Sequence, residues 1–220
     1  MQAGANKNHE SARLRILIVG TGGQGVITAA RLLTNFYVER GHAVVSGQLH
    51  GMAQRGGAVQ ASVMIDCGIG PGLPAGGANI VLGLEPVETA RAMPFISSKT
   101  AVLMNTAEVV PYVLSQQYVL KQGTGRYPSL EVLQEAIGNA TSRLRALDAT
   151  VLAKRAGSIR AVNVVMLGCL FGAGLLRVSP EEFLEAIMRT APPRLADVNR
   201  KAFLEGVQAG RDLPVLEEAR

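Results

Sequence analysis

Leu14 to Gly20 (LRILIVG) is a short apolar run closed by glycine, and it leads straight into a turn, Gly20-Thr21-Gly22-Gly23-Gln24-Gly25, that few folds accommodate. An apolar run without polar alternation predicts a central strand buried on both faces, as in a parallel sheet covered by helices on each side. A helix should follow the turn. Val26, Ile27, Ala30, Leu33, Phe36 and Tyr37 recur at three- and four-residue spacing, and Gly41 stands where such a helix would stop. His42 to Ser46 then predicts a second strand, giving a strand–helix–strand unit with a right-handed crossover.

The same alternation continues along the chain. Ala58 to Ile65 and Asn79 to Leu84 read as strands, Pro86 as the first residue of a helix, and Val102 to Asn105 as a further strand. Ser129 to Arg145 reads as a helix, with Leu144 to Leu147 as a short edge strand. Ser179-Pro180-Glu181-Glu182 combines an N-cap, a first-turn proline and a capping-box glutamate, so a helix starts there. Pro192-Pro193 ends it, and Leu195 to Gly210 forms the last helix. The expectation is an α/β fold: an open, mostly parallel, Rossmann-like sheet with helices on both faces and a C-terminal helical extension. We expect a polar, flexible tail over residues 1–13, one domain over 14–210 and a C-terminal tail over 211–220.

Several classes are disfavoured by composition. The segment from Ala161 to Leu176 carries no charge, but its 16 residues fall short of a membrane span and include Asn163 and three glycines, so a helix buried in protein is expected. The formal charge is +5, yet the basic residues are scattered and aromatic residues make up only 4%, which does not suit a nucleic-acid surface. A basic face toward an acidic subunit or a phosphorylated cofactor accounts for the excess. Cys67 and Cys169 are far apart and have neither disulfide nor metal-site spacing, so two reduced thiols in a cytoplasmic protein, with no metal site, are expected.

Two loops carry the functional signal. Gly20, Gly22 and Gly25 match G-x-G-x-x-G in the required strand-to-helix context, where backbone N–H groups can face an anion. A dinucleotide site would also need an acidic residue at the end of the second strand, where this chain has Ser46-Gly47-Gln48. A structural or partner-facing turn is therefore the better reading, and a free-standing NAD(P)-binding protein the weaker one. The second loop is His50-Gly51-Met52-Ala53-Gln54-Arg55-Gly56-Gly57. A bare connection with Arg55 solvated remains open, but a plain turn has no need of paired glycines flanked by His50, Gln54 and Arg55. Arg55 can make a bidentate pair with a carboxylate or phosphate, and His50 can orient it. The candidate residues are Gly22, Gly23, Gln24, Gly25, His50, Gly51, Met52, Gln54, Arg55, Gly56 and Gly57. No nucleophile or general base can be assigned among them.

The pair VGTGGQG and HGMAQRGG, at this spacing, resembles the gamma-type subunits and domains of the 2-oxoacid:ferredoxin oxidoreductases, and the indolepyruvate branch most closely. Later segments agree: Asn163 to Gly168 is similar to that family's N-x-x-x-L-G helix, and Asn199 to Phe203 with Gly206 to its N-x-x-A-F-x-x-G. The resemblance implies oxidative decarboxylation of an aryl 2-oxo acid, with coenzyme A as acyl acceptor and ferredoxin as electron acceptor. It further implies that thiamine diphosphate and iron–sulfur clusters sit on a large alpha subunit and none on this chain, which is inactive alone in a hetero-oligomer. The loops would then touch substrate, coenzyme A or the partner. A scaffold subunit that touches no ligand is the alternative of a different class.

Overall fold

The computed structural model describes residues 13–50, 57–68, 70, 72–109 and 127–214. Among these, six strands form one sheet: β1 (Leu14–Thr21), β2 (Val44–His50), β3 (Ala58–Ile65), β4 (Ile80–Gly83), β5 (Ala101–Asn105) and β6 (Leu144–Leu147), in the order β2-β3-β1-β4-β5-β6. β1, β4, β5 and β6 are mutually parallel neighbours. β3 is the exception. It runs antiparallel between β1 and β2, pairing Thr21 with Ala58 on one side and His50 with Val59 on the other. The first two strands therefore share a direction without touching.

Seven α-helices cover the sheet among the described residues: α1 (Val26–Glu39), α2 (Pro86–Arg91), α3 (Leu130–Ala140), α4 (Ala149–Arg155), α5 (Val162–Gly172), α6 (Pro180–Thr190) and α7 (Pro193–Asp212). β1 shows why its sequence is apolar throughout. Ile16 and Ile18 face a core shared with α1, α4, α5, α6 and α7, while Leu17 and Val19 face a second core built with α2 and α3. The first core centres on Phe36, Phe171, Phe183 and Phe203, with Phe171 and Phe183 stacked at 4.3 Å between ring centroids. The mixed α/β class is as expected.

Three boundaries differ from the sequence reading. β2 runs on to His50, because pairing with β3 carries Gly47, Gln48 and Leu49 as strand where a loop was expected after Ser46. α3 stops at Ala140, since the Thr141 hydroxyl donates to the Thr100 carbonyl at 2.8 Å and turns the chain toward β6. α7 begins at Pro193, which occupies its first turn rather than only ending α6. The uncharged segment becomes α5, buried from Val162 to Phe171. No helix of the described residues is long and apolar enough to cross a membrane.

Candidate functional site

The site is built where β1, β4 and β5 end side by side. α1 leaves β1 toward one face of the sheet and α2 leaves β4 toward the other, so the chain changes face between the ends of β1 and β4. Open α/β sheets place ligands in that crevice. The first glycine turn forms its rim. Gly23 is exposed with φ +100°, and Gly25, at φ +83°, is the N-cap of α1. An added Cβ at Gly25 would lie 2.5 Å from Asn163 Nδ2, so glycine is required there by both conformation and space. The first turn of α1 has no side-chain cap and no acidic residue, which leaves its N–H groups and positive dipole end open to an anion.

Gly57, the last residue of the second glycine segment, comes to the same place. The Gly22 N–H donates to the Gly57 carbonyl at 2.9 Å, one step beyond the last β1–β3 pair. His50 closes β2 and Ala58 opens β3 at the carboxyl end of β1, so the described residues on either side of 51–56 lie there. Gly51, Met52, Gln54, Arg55 and Gly56 lie outside the described residues, and of His50 only the backbone is described. Within the described part, the two loops meet at Gly22 and Gly57.

Gln24 has a role internal to the turn. Its Oε1 accepts the Thr21 N–H at 2.8 Å and its Nε2 donates to the Leu84 carbonyl at 2.9 Å. The same carbonyl accepts Asn105 Nδ2 at 3.0 Å, while Asn105 Oδ1 accepts the Ala149 N–H at 3.0 Å. Asn163, buried in α5, donates from Nδ2 to the Gly25 carbonyl at 3.2 Å. Three side-chain amides thus fix the ends of β1, β4 and β5 and the start of α1. The sequence makes Gln24 a candidate for contact with a ligand or partner, Asn163 part of a helix motif, and Asn105 only the end of a strand. A polar residue at the last position of a buried strand was the available signal for Asn105.

Two buried carboxylates adjoin the crevice. Glu85 caps α2 by accepting the Glu88 N–H at 2.8 Å, and it also accepts the Tyr127 hydroxyl. Burial pushes the Glu88 carboxyl above its ordinary range, against the pull of Arg91. The hydroxyl of Thr21, itself buried, has no hydrogen-bond partner among the described residues. An iron–sulfur cluster does not fit the chain's own thiols: Cys67 Sγ donates to the Leu14 and Ile65 carbonyls at the opposite end of β1, and Cys169 is buried in α5 with its pKa pushed up to about 12. No group of three His, Cys, Asp or Glu side chains among the described residues is placed to hold a metal ion.

A family model described as pyruvate ferredoxin/flavodoxin oxidoreductase matches residues 15–209. The chain belongs to this family. Among its members, the indolepyruvate oxidoreductase subunit IorB of Archaeoglobus fulgidus is 36% identical over 194 residues, spanning 88% of this chain and 94% of the relative. Two solved structures of lower identity share the fold. The gamma subunit of a keto/oxoacid ferredoxin oxidoreductase from Geobacter sulfurreducens superposes with a TM-score of 0.64 at 22% identity, covering 91% of this chain and 99% of that one. The 2-oxoglutarate:ferredoxin oxidoreductase of Magnetococcus marinus gives a TM-score of 0.67 at 16% identity, covering 96% of this chain and 32% of that longer one. The oxidoreductase family fold thus occurs both as a separate chain and as part of a larger one.

Proposed function

We propose that this chain is the non-cofactor-bearing subunit of an indolepyruvate-type 2-oxoacid:ferredoxin oxidoreductase, and that its joined glycine loops close the reaction chamber carried by a large thiamine diphosphate and iron–sulfur alpha subunit. Full-length likeness to IorB supports the subunit and substrate class. The observation that supports the role of the loops is the Gly22 to Gly57 hydrogen bond, which joins the first motif to the last residue of the second. Thiamine diphosphate would supply the decarboxylation and the clusters the electron path; this chain's residues bind, orient and exclude water.

Within that arrangement, the open first turn of α1 and Arg55 face anionic groups, the carboxylate of an aryl 2-oxo acid or a phosphate of coenzyme A. His50, Gly51, Met52, Gln54, Gly56 and Gly57 shape the second side of that surface. A free-standing NAD(P) site is disfavoured by topology, since the strand beside β1 is β3, which begins there with Ala58 and offers no carboxylate for a ribose. We place the complex in the cytoplasm, passing electrons to ferredoxin.

The test is reconstitution. Co-expressed with the alpha subunit, the chain should copurify in a stable complex that reduces ferredoxin only when indolepyruvate and coenzyme A are both present. Failure to associate, or full activity of the alpha subunit alone, refutes the reading.

A further inference from the structure

A cavity of about 660 Å³ opens at the other end of the sheet, between the start of β1, the end of α1, Asp66 after β3, and the segment joining α5 to α6. Its size falls in the range of small-molecule sites. It has no part in the glycine-loop surface. The first pointer to a ligand is Tyr37, which is only 5% exposed and lines the cavity while its hydroxyl has no hydrogen-bond partner among the described residues. Burial lifts its pKa to about 12, so it remains a neutral donor across the physiological range. The ring is buried while the hydroxyl opens into the cavity, so a donor without an acceptor among the described residues is presented to whatever occupies that space.

Charge is the second pointer. Both wall carboxylates are already engaged: Asp66 accepts from the Ala43 N–H at 3.0 Å and is bonded to His42 Nδ1 at 2.7 Å, while Glu182 is paired with Arg40. Arg40 is further held over the Phe36 ring at 3.8 Å. Arg13 and Arg177 also line the cavity and form no ion pair among the described residues, which leaves the wall with excess positive charge. Asp66 holds φ +54°, the single non-glycine residue among those described with positive φ, and its bond to His42 keeps the ring edge-on to Tyr37 at 5.4 Å. Leu14 and Leu176 supply apolar wall.

We propose that this cavity binds a small organic carboxylate with an apolar body, its carboxylate taken by Arg177, Arg13 and the Tyr37 hydroxyl and its body lying on Leu14 and Leu176. Apolar walls with a few convergent donors are what such a ligand requires. The site would be independent of the reading given to the glycine loops, because it lies at the start of β1, the end opposite the glycine turn.

Phenylacetate is a suitable probe for the full-length chain, with hexanoate and inorganic phosphate as comparison arms, followed by amide chemical-shift perturbation. Saturable shifts are expected at residues 37–42, 65–66 and 175–179 with either carboxylate. Tyr37→Phe, which removes only the hydroxyl, and Arg177→Ala should each weaken binding about tenfold, whereas Gly138→Ala, on α3 and away from both the cavity and the glycine loops, should leave it unchanged. The proposal is overturned by absence of saturable shifts at millimolar probe, by shifts confined to the glycine loops, by unaltered affinity in both cavity variants, or by phosphate binding as tightly as phenylacetate.

Discussion

The side chain of Gln24 is engaged at both ends within its own chain, so its contribution is to shape a surface that other residues present. Gln24→Ala removes two hydrogen bonds and leaves the part-buried Thr21 N–H without its acceptor. A loss of about 1–3 kcal/mol in the denaturant unfolding free energy of the isolated chain is expected; a change within a few tenths would show that the turn holds without it. Glu88 makes a different prediction. Because burial raises its pKa, the folded state keeps the proton to higher pH than the unfolded chain does. Stability contributed by protonated Glu88 is therefore present in acid and lost as pH rises from the unfolded carboxylate value through the folded one. Glu88→Gln should flatten that part of a Tm-against-pH profile, and a profile superimposable on wild type would remove this carboxyl from the account.

Helices α5 and α7 meet through glycines. An added Cβ at Gly206 would lie 2.0 Å from the Val165 carbonyl oxygen, one at Gly168 2.2 Å from that of Phe203, and one at Gly172 2.1 Å from that of Val207. The two backbones touch, and a methyl group would have to separate them. Gly206→Ala is expected to cost about 1–3 kcal/mol or more by equilibrium unfolding, whereas Gly138→Ala on the open side of α3, with no atom within 4 Å of the added Cβ, should be neutral or stabilising by roughly 0.5–1 kcal/mol. Equal effects at both positions would contradict the close crossing. Local signals reported the elements well: apolar runs gave the buried strands, and Ser179 with Pro180 gave the start of α6. Pairing was harder to read. The alternation in Ala58 to Ile65 marks a strand but carries nothing about its neighbours, so its insertion between β1 and β2, and the lengthening of β2 that follows, were not legible. The glycines of α5 were visible as residues; their partners on α7, more than thirty positions away, were not.

Across the whole molecule, β1 runs from the arginine-lined cavity to the glycine turn, and the proposed contact with the partner subunit lies at the second end. The loop motifs and their carboxyl-end position were legible because both follow from strand direction. The amide network behind them was not, since Asn105, Leu84 and Asn163 are brought together only by the sheet and α5. Arg55→Ala should lower turnover of the reconstituted complex about ten- to a hundredfold while leaving the Tm of the isolated chain within a degree or two. Wild-type turnover in that variant would exclude an anion-binding role for Arg55.

The rung between Gly22 and Gly57 extends the β1–β3 ladder past its last residue pair, and so ties the residue ahead of β3 to the turn ahead of α1 by main chain alone. Gly22 and Gly57, thirty-five positions apart in the chain, are thereby kept in one register, and neither can shift along the ladder without the other.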